Sequence, residues 1–309
     1  MAQTARAVRF DRYGGIEELK VVEIPRPSPE AGQVVVEVVA AAVNPGEAAI
    51  RQGFMHEQFP STFPSGEGSD FAGRIAEIGA GVGGVAVGDA VLGFTDARAS
   101  HATHVVVPAD QVTRKPDALD WNVAATLYVA GTTAFATVKA VDAVSGDTVA
   151  VSGAAGGVGS IAVQLLRARG AKVIGIAGAD NHEWLRSVGV VPVAYGDGLI
   201  DRLRGAAPDG IDAFIDTFGA DYVDIAIELG VPVDRIDTII NFDAISKHGV
   251  KGEGNAAAGT IDVVAELAQQ AAAGTFDVPI AAVYPLDDVR GAYRELERRH
   301  TRGKIVLRP

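Results

Sequence analysis

The stretch Asp147–Gly170 reads DTVAVSGAAGGVGSIAVQLLRARG. It opens on Thr148-Val149-Ala150-Val151, a short apolar run of the kind a buried parallel strand requires. Four glycines follow within seven residues: Gly153, Gly156, Gly157 and Gly159. Ser160–Arg169 then carries apolar residues at helical spacing with two arginines near its end, and Gly170 stops the helix. Lys172–Ala177, KVIGIA, supplies a second apolar strand. The order strand, glycine turn, helix, strand is the setting of a dinucleotide-binding fingerprint.

The glycines have a chemical reason. A pyrophosphate binds to free backbone N–H groups at a helix N-terminus, where the helix dipole also favours an anion. Gly156 and Gly157 let the backbone approach the phosphates, and Gly159 lets the helix pack close to the strand. The usual G-x-G-x-x-G spacing is kept as Ala154-x-Gly156-Gly157-Val158-Gly159, with alanine in the first place. A tight turn without a ligand would need fewer glycines.

Outward from this stretch the chain changes character. Residues 1–120 read as strands: Ala5–Phe10, Leu19–Ile24, Val34–Val43, Gly73–Ile78, Asp89–Gly93 and His104–Pro108, punctuated by proline and glycine turns. Asn44-Pro45-Gly46 reads as the stop of the third. Close spacing of short strands suggests a partly open β-barrel. Asn122–Val138 reads as two helical pieces broken at Gly131. Beyond the fingerprint, strands and helices alternate: helices at Asn181–Val188, Leu199–Arg204 and Tyr222–Leu229, extended segments at Val191–Tyr195, Ile211–Asp216 and Thr238–Phe242. That alternation implies a parallel sheet covered on both faces. Ile261–Ala273 is a helix, Val278–Tyr284 a strand, Leu286–Arg299 a helix and Lys304–Leu307 a last strand. The two late strands have no evident partner in a doubly wound sheet and suit a return to the first domain.

The 309 residues suffice for two domains with full cores, and 48% hydrophobic with 21% charged residues is an ordinary globular balance. A formal net charge of −12 argues against nucleic acid and against an anionic membrane, both of which need basic patches. Cysteine is absent, which excludes disulfides, a thiolate zinc site and a cysteine nucleophile. The N-terminal residues lack an apolar signal core, and the longest uncharged run, Thr148–Leu166, contains the four glycines. A cytoplasmic location is the expectation. His101 and His104, three apart, read as surface or loop histidines and not as a metal pair.

Several motifs together resemble the medium-chain dehydrogenase/reductase family, within it the zinc-independent quinone oxidoreductase branch. They are Ala41-Ala-Val-Asn-Pro45, Gly68-Ser-Asp-Phe-Ala-Gly73, Gly88-Asp-Ala-Val-Leu-Gly93, Ala130-Gly-Thr-Thr-Ala-Phe135, Ala154-Ala-Gly-Gly-Val-Gly159 and Gly303-Lys-Ile-Val-Leu307. The resemblance implies an α/β protein: a GroES-like, partly open β-barrel catalytic domain (1–121 and 272–309) and a doubly wound Rossmann domain (122–271). It puts Asn44 and Ser69 where zinc-dependent members carry a cysteine and a histidine, so no metal is expected. Arg51 and Gly53 match the usual R-x-G, whereas Ala49 stands where many quinone reductases have tyrosine. Relatives are often dimers; the sequence has no interface signal of its own.

The end of the second strand bears on the cofactor. An NAD site usually places Asp or Glu there. Here the strand runs into Ala177-Gly178-Ala179, with Asp180 past the end. Asn181, His182 and Arg186 can donate to a 2′-phosphate, which favours NADPH, or they cap and face a surface helix. The resemblance assigns catalytic positions to Asn44 and Thr132. It puts Lys304 near the cofactor phosphates and Phe242, read as the end of the fifth strand, beside the nicotinamide. Each also has a structural reading: turn residue, helix N-cap, solvated lysine and core. Tyr128 is a candidate general acid. The expected activity is hydride transfer from NADPH to a small acceptor, a quinone or α,β-unsaturated carbonyl. The alternatives are an enoyl-thioester or alkenal reductase and a non-catalytic NADPH-binding protein.

Overall fold

A computed structural model describes residues 3–309. The chain divides into two compact units, one made of residues up to Val129 with Thr260–Ala273 and Ile280–Pro309, the other of Ala130–Gly259 with Gly274–Pro279.

The strands of the N-terminal segment are β1 (Thr4–Phe10), β2 (Lys20–Pro25), β3 (Gln33–Val43), β4 (Ser65–Gly66), β5 (Asp70–Ile78), β6 (Ala90–Phe94), β7 (His104–Pro108) and β8 (Val112–Arg114). Those of the second unit are β9 (Thr148–Ser152), β10 (Lys172–Ile176), β11 (Val191–Val193), β12 (Ala213–Asp216) and β13 (Ile236–Thr238). The tail adds β14 (Ile280–Pro285) and β15 (Lys304–Arg308).

In the first unit, β2, β1 and β4 form a three-stranded sheet, and β14-β15-β3-β5-β6-β8 run across a seven-stranded sheet in which β7 also pairs with β3. The β-branched run Val34–Val38 is buried except for Glu37, so β3 suits the sheet interior. Its first half pairs with β5 and β7, and its second half with β15, through Ile305↔Val43 and Leu307↔Ala41. Val34, Val36, Phe71, Ile75, Val91 and Val105 fill one core; Val8, Leu19, Val43, Val289, Tyr293 and Ile305 fill another.

Two local differences from the sequence reading have simple causes. Asn44-Pro45-Gly46 does not merely end β3. Pro45–Arg51 is a helix, because proline suits a first helical position and the Glu47 carboxylate accepts from the Asn44 N–H at 2.9 Å. Ile261–Ala272, expected in the dinucleotide-binding domain, groups with the first unit: Val264, Leu267 and Ala268 form its buried stripe, and the helix packs along β8.

In the second unit the parallel sheet has the order β11-β10-β9-β12-β13. The chain moves outward from β9 through β10 to β11, then crosses back to β12 and β13. The strand order therefore reverses between β9 and β12. Ile174, Leu203, Phe214, Val223 and Ile236 are central to its core. The fifth strand ends at Thr238, not Phe242. Asn241 caps a helix, Phe242–His248, by accepting from the Ala244 N–H at 3.1 Å.

Candidate functional site

Two groups of residues are candidates for the site, one in each unit. In the second unit, Gly153 leaves β9 with φ +58°, a conformation glycine tolerates readily. Gly156 N–H turns back onto the Gly153 carbonyl at 2.8 Å, and the helix Gly159–Ala168 begins at once. A Cβ on Gly159 would strike the Gly153 oxygen and, at 2.9 Å, the Ala154 Cα, both backbone atoms. Glycine is thus required there by packing. Ala154, in the first fingerprint place, is fully buried, and Gly175 opposite it on β10 makes the room: a Cβ at 175 would lie 3.0 Å from that of Ala154. Gly156, Gly157 and Val158 remain partly exposed at the helix N-terminus.

Beside this turn a buried hydrogen-bonded knot ties the ends of three strands. Asp216 Oδ1 accepts from Ser152 Oγ (2.6 Å), Phe218 N (3.0 Å) and Gly219 N (2.9 Å), and its Oδ2 accepts from Thr238 Oγ1 (2.8 Å). The knot fixes the loop after β12 at the point where the strand order reverses.

Of the residues singled out near the second strand, Ala177 is buried and donates its N–H to Val193 O. His182 donates Nε2–H to the Ala177 carbonyl at 3.3 Å, because a carbonyl only accepts. Asn181 and His182 are partly exposed, and Arg186 and Asp180 exposed. Tyr195, which the sequence reading passes over, places its ring 3.5 Å from the Cβ position of Gly178 and is 54% exposed. Phe242 neither ends a strand nor belongs to the core: it starts a helix and is 60% exposed. Thr132 is buried at the start of the helix Thr132–Ala140, and its Oγ1 accepts from Asn255 Nδ2 at 2.7 Å.

The first unit holds a buried polar cluster around Asn44. Its Nδ2 donates to Glu47 Oε1 (3.0 Å) and Asp70 Oδ2 (2.6 Å), and its Oδ1 accepts from Lys304 Nζ. Both amide hydrogens are therefore committed to carboxylates, so Asn44 is not the free donor to a carbonyl or cofactor that its sequence context suggests. Lys304 is correspondingly not a solvated lysine: it is buried and also donates to Val43 O at 3.0 Å. Glu47 further accepts from Ser69 N (2.9 Å) and from Tyr293 OH (3.0 Å).

Burial shapes the electrostatics of this cluster. Desolvation pushes the Asp70 carboxyl up to about 6 against the pull of Lys304, and burial draws the Lys304 ammonium down. Burial likewise raises Glu67 to about 8, although Arg51 Nη1 donates to it at 2.9 Å. The Arg51 guanidinium also lies 4.5 Å from the Tyr293 ring centroid. His101 is not a surface residue. It is 1% exposed, donates Nε2–H to Ala42 O at 2.8 Å, and burial lowers its pKa. Gly68, having no side chain, leaves the space that the His101 ring fills. Tyr128 stacks on Phe94 with centroids 4.0 Å apart and planes 4° from parallel. Asp70, Glu67 and Tyr293 were not singled out from the sequence as site residues; Asp70 carried a signal, lying inside Gly68-Ser-Asp-Phe-Ala-Gly73.

These two constellations can be set beside known proteins. Residues 30–117 match the alcohol dehydrogenase GroES-like domain, and residues 191–307 match the zinc-binding dehydrogenase domain. Quinone oxidoreductase 1 of Escherichia coli (strain K12) is 27% identical over 99% of this chain and 100% of its own length. The quinone oxidoreductase from Coxiella burnetii has a solved structure that superposes with a TM-score of 0.89 at 28% identity, covering 99% of this chain and 100% of that one. The chain belongs to the medium-chain dehydrogenase/reductase family. It is similar to quinone oxidoreductases within that family, and it has a GroES-like domain and a Rossmann-like parallel sheet. The rat (Rattus norvegicus) quinone oxidoreductase is 33% identical over 68% of this chain, but the match spans 65% of the rat protein and, for the mouse (Mus musculus) protein, 53%. A thermostable alcohol dehydrogenase from Pyrobaculum aerophilum superposes with a TM-score of 0.85 at 26% identity, over 99% of this chain and 100% of that one. Among the described residues no helix is long and apolar enough to cross a membrane.

Proposed function

We propose that this protein is a zinc-free, NADPH-dependent reductase that delivers hydride to a quinone or an α,β-unsaturated carbonyl. The observation that carries the reading is the glycine turn. A helix of ten residues starts where the strand order reverses, and Gly159 has no space for a side chain. The backbone of Gly156, Gly157 and Val158 would hold the pyrophosphate. Asn181, His182, Arg186 and the phenol of Tyr195 would surround the ribose 2′-phosphate, and no carboxylate stands at the end of β10 to repel it. When bound, the reduced nicotinamide supplies the hydride. Thr132, held by Asn255, would position the cofactor's nicotinamide end.

The donor set around Asn44 does not suit zinc. Zn²⁺ wants thiolate or imidazole ligands. The chain has no cysteine, the Asn44 oxygen faces an ammonium group, and His101 turns its Nε2–H to a carbonyl. Names of relatives support quinone as the acceptor.

The test is a fluorescence titration with NADPH and with NADH, followed by 1,4-benzoquinone in the same cuvette. Tighter binding of NADPH and its rapid oxidation are expected. Equal affinity for both dinucleotides would overturn the NADPH assignment, and binding without oxidation by quinones or enones would overturn the reductase assignment.

A further inference from the structure

We propose that this protein has a second small-molecule site, for a small organic carboxylate, on the C-terminal half of the fingerprint helix. It lies apart from the glycine turn and does not rest on the reductase reading. A cavity of about 350 Å³ is lined by Gln164, Arg167 and Ala168 of the helix Gly159–Ala168, by Val188, and by Thr275. That volume is in the range of ligand pockets, about 300–1,000 Å³. All five residues belong to the second unit. At about 1.5 Å per residue, Arg167 sits roughly 12 Å along the helix from Gly159. A ligand there leaves the helix N-terminus clear for a pyrophosphate.

The walls are held by bonds of their own. Gln164 is buried, and its amide pairs with the Asp277 backbone in both directions: Oε1 accepts from Asp277 N at 3.0 Å, and Nε2 donates to Asp277 O at 2.7 Å. Nε2 also donates to Ser160 O at 2.7 Å, so both amide hydrogens are used. Phe276 and Val278, on either side of Asp277, are buried, and Thr275 is therefore carried on a fastened segment. The charged donor is Arg167, which is exposed. Its Nη1 donates to Ala171 O at 2.9 Å, which leaves Nε and Nη2 for a ligand. A Cβ on Gly189 would stand 3.1 Å from Nε and 3.4 Å from Nη2; glycine, at φ +77°, keeps that edge clear.

The donor set selects the ligand. A guanidinium grips a carboxylate by two parallel N–H bonds. With Nη1 taken, the grip that remains is the one through Nε and Nη2. Ala168 and Val188 give a short alkyl body something to pack on, which a bare phosphate would not use. Among the described residues no carboxylate lines the cavity. The end of a helix repels an anion with about half a unit charge. Here the carbonyls of Leu165, Leu166 and Arg167 already accept from the N–H groups of Arg169, Ala171 and Gly170, so a whole guanidinium charge outweighs what is left.

The full chain, labelled with ¹⁵N, is titrated with butyrate and with butyramide, its uncharged counterpart of the same size. Butyrate should shift the amide signals of Ala168, Val188, Gly189 and Thr275 with a Kd on the order of 1 mM, the strength suited to so small a ligand. Butyramide, and butyrate on Arg167→Gln, should each bind at least about tenfold more weakly, the worth of a charge-assisted pair. Absence of shifts at these amides, equal binding of butyramide, or undiminished binding to Arg167→Gln would overturn the site. Inorganic phosphate binding as tightly as butyrate would overturn the organic carboxylate and leave a simple anion site. These comparisons involve no NADPH, so they hold whether or not the reductase reading does. A last titration is run with NADPH in excess. Butyrate should still bind; its displacement would put the probe in the dinucleotide site and overturn the second one.

Discussion

Asn44 shows how much one residue can hide. Its type and place are visible in the sequence, but the partner that decides its role, Lys304, lies 260 residues away. No spacing rule reaches that far, so the sequence offers Asn44 as a donor without the network that holds it. Removing the amide in Asn44→Ala would strand Lys304, Glu47 and Asp70 in a buried setting. A cost of about 2–4 kcal/mol is expected, since each unsatisfied buried polar group costs ~1–3 kcal/mol. Urea denaturation measures it, and a loss below about 1 kcal/mol, the worth of one ordinary hydrogen bond, would mean the cluster is not a single network. Asp237 makes a second prediction at this scale. Its Oδ1 accepts from Glu253 N at 2.7 Å, and its Oδ2 has no partner among the described residues. Burial pushes this carboxyl up to about 7 from the ordinary 3.8, against the pull of the Glu253 N–H. The folded state therefore keeps a proton that the unfolded chain releases. The stabilisation is fully present below the unfolded value and is lost as pH rises through about 7. Asp237→Asn keeps the acceptor for Glu253 and removes the titration. Its unfolding free energy relative to the parent should climb between pH 5 and pH 8, by an amount on the order of a few kcal/mol, with Tm rising in parallel. Parallel pH profiles would refute the shift.

Among elements, the fingerprint helix was legible because everything that makes it lies within one short stretch. Apolar strand, glycines and amphipathic helix need only local rules. The fifth strand was not legible in the same way. Thr238-Ile-Ile-Asn-Phe242 is apolar enough to read as extended, and only the capping bond from Ala244 N to Asn241 shows that a helix has begun. The Pro45 helix was lost for a related reason, since Asn-Pro-Gly signals a turn as readily as a helix start. The close approach of the fingerprint helix to its strand yields a prediction. In Gly159→Ala the new methyl meets the Gly153 oxygen and the Ala154 Cα, which are backbone atoms that cannot rotate away. The helix N-terminus must shift, at a cost of about 1–3 kcal/mol, with weaker NADPH binding. Gly156→Ala meets only the Gly153 oxygen, at 3.2 Å, and should be milder in stability. Calorimetry on the two variants checks the order; a Gly159→Ala protein as stable as the parent would show that the turn has room to spare.

On the scale of the whole molecule, composition and motif order were enough for the two-part α/β plan. They could not supply the assignment of Ile261–Ala272, because an amphipathic stripe states that a helix is buried but not against what. The C-terminal strand is the feature with the longest reach. β15 lies between β14 and β3, pairing parallel with the first and antiparallel with the second. It also delivers Lys304 to Asn44 and Ile305 and Leu307 to the apolar core. A chain ending at Arg302 would leave β14 without its neighbour, half of β3 unpaired on that side, and Asn44 without its cation. Such exposed strand edges invite aggregation. That chain should be largely insoluble, and any soluble fraction should lose its N-terminal segment rapidly to protease. A chain ending at Leu307 removes only Arg308 and Pro309, of which Arg308 is exposed and bonds to Asn122 at 3.0 Å. An exposed polar contact of this kind contributes about 1 kcal/mol or less, so this second chain should remain folded. If the chain ending at Arg302 resists protease as well as the one ending at Leu307, the first unit does not depend on β15, and the sheet must close without it.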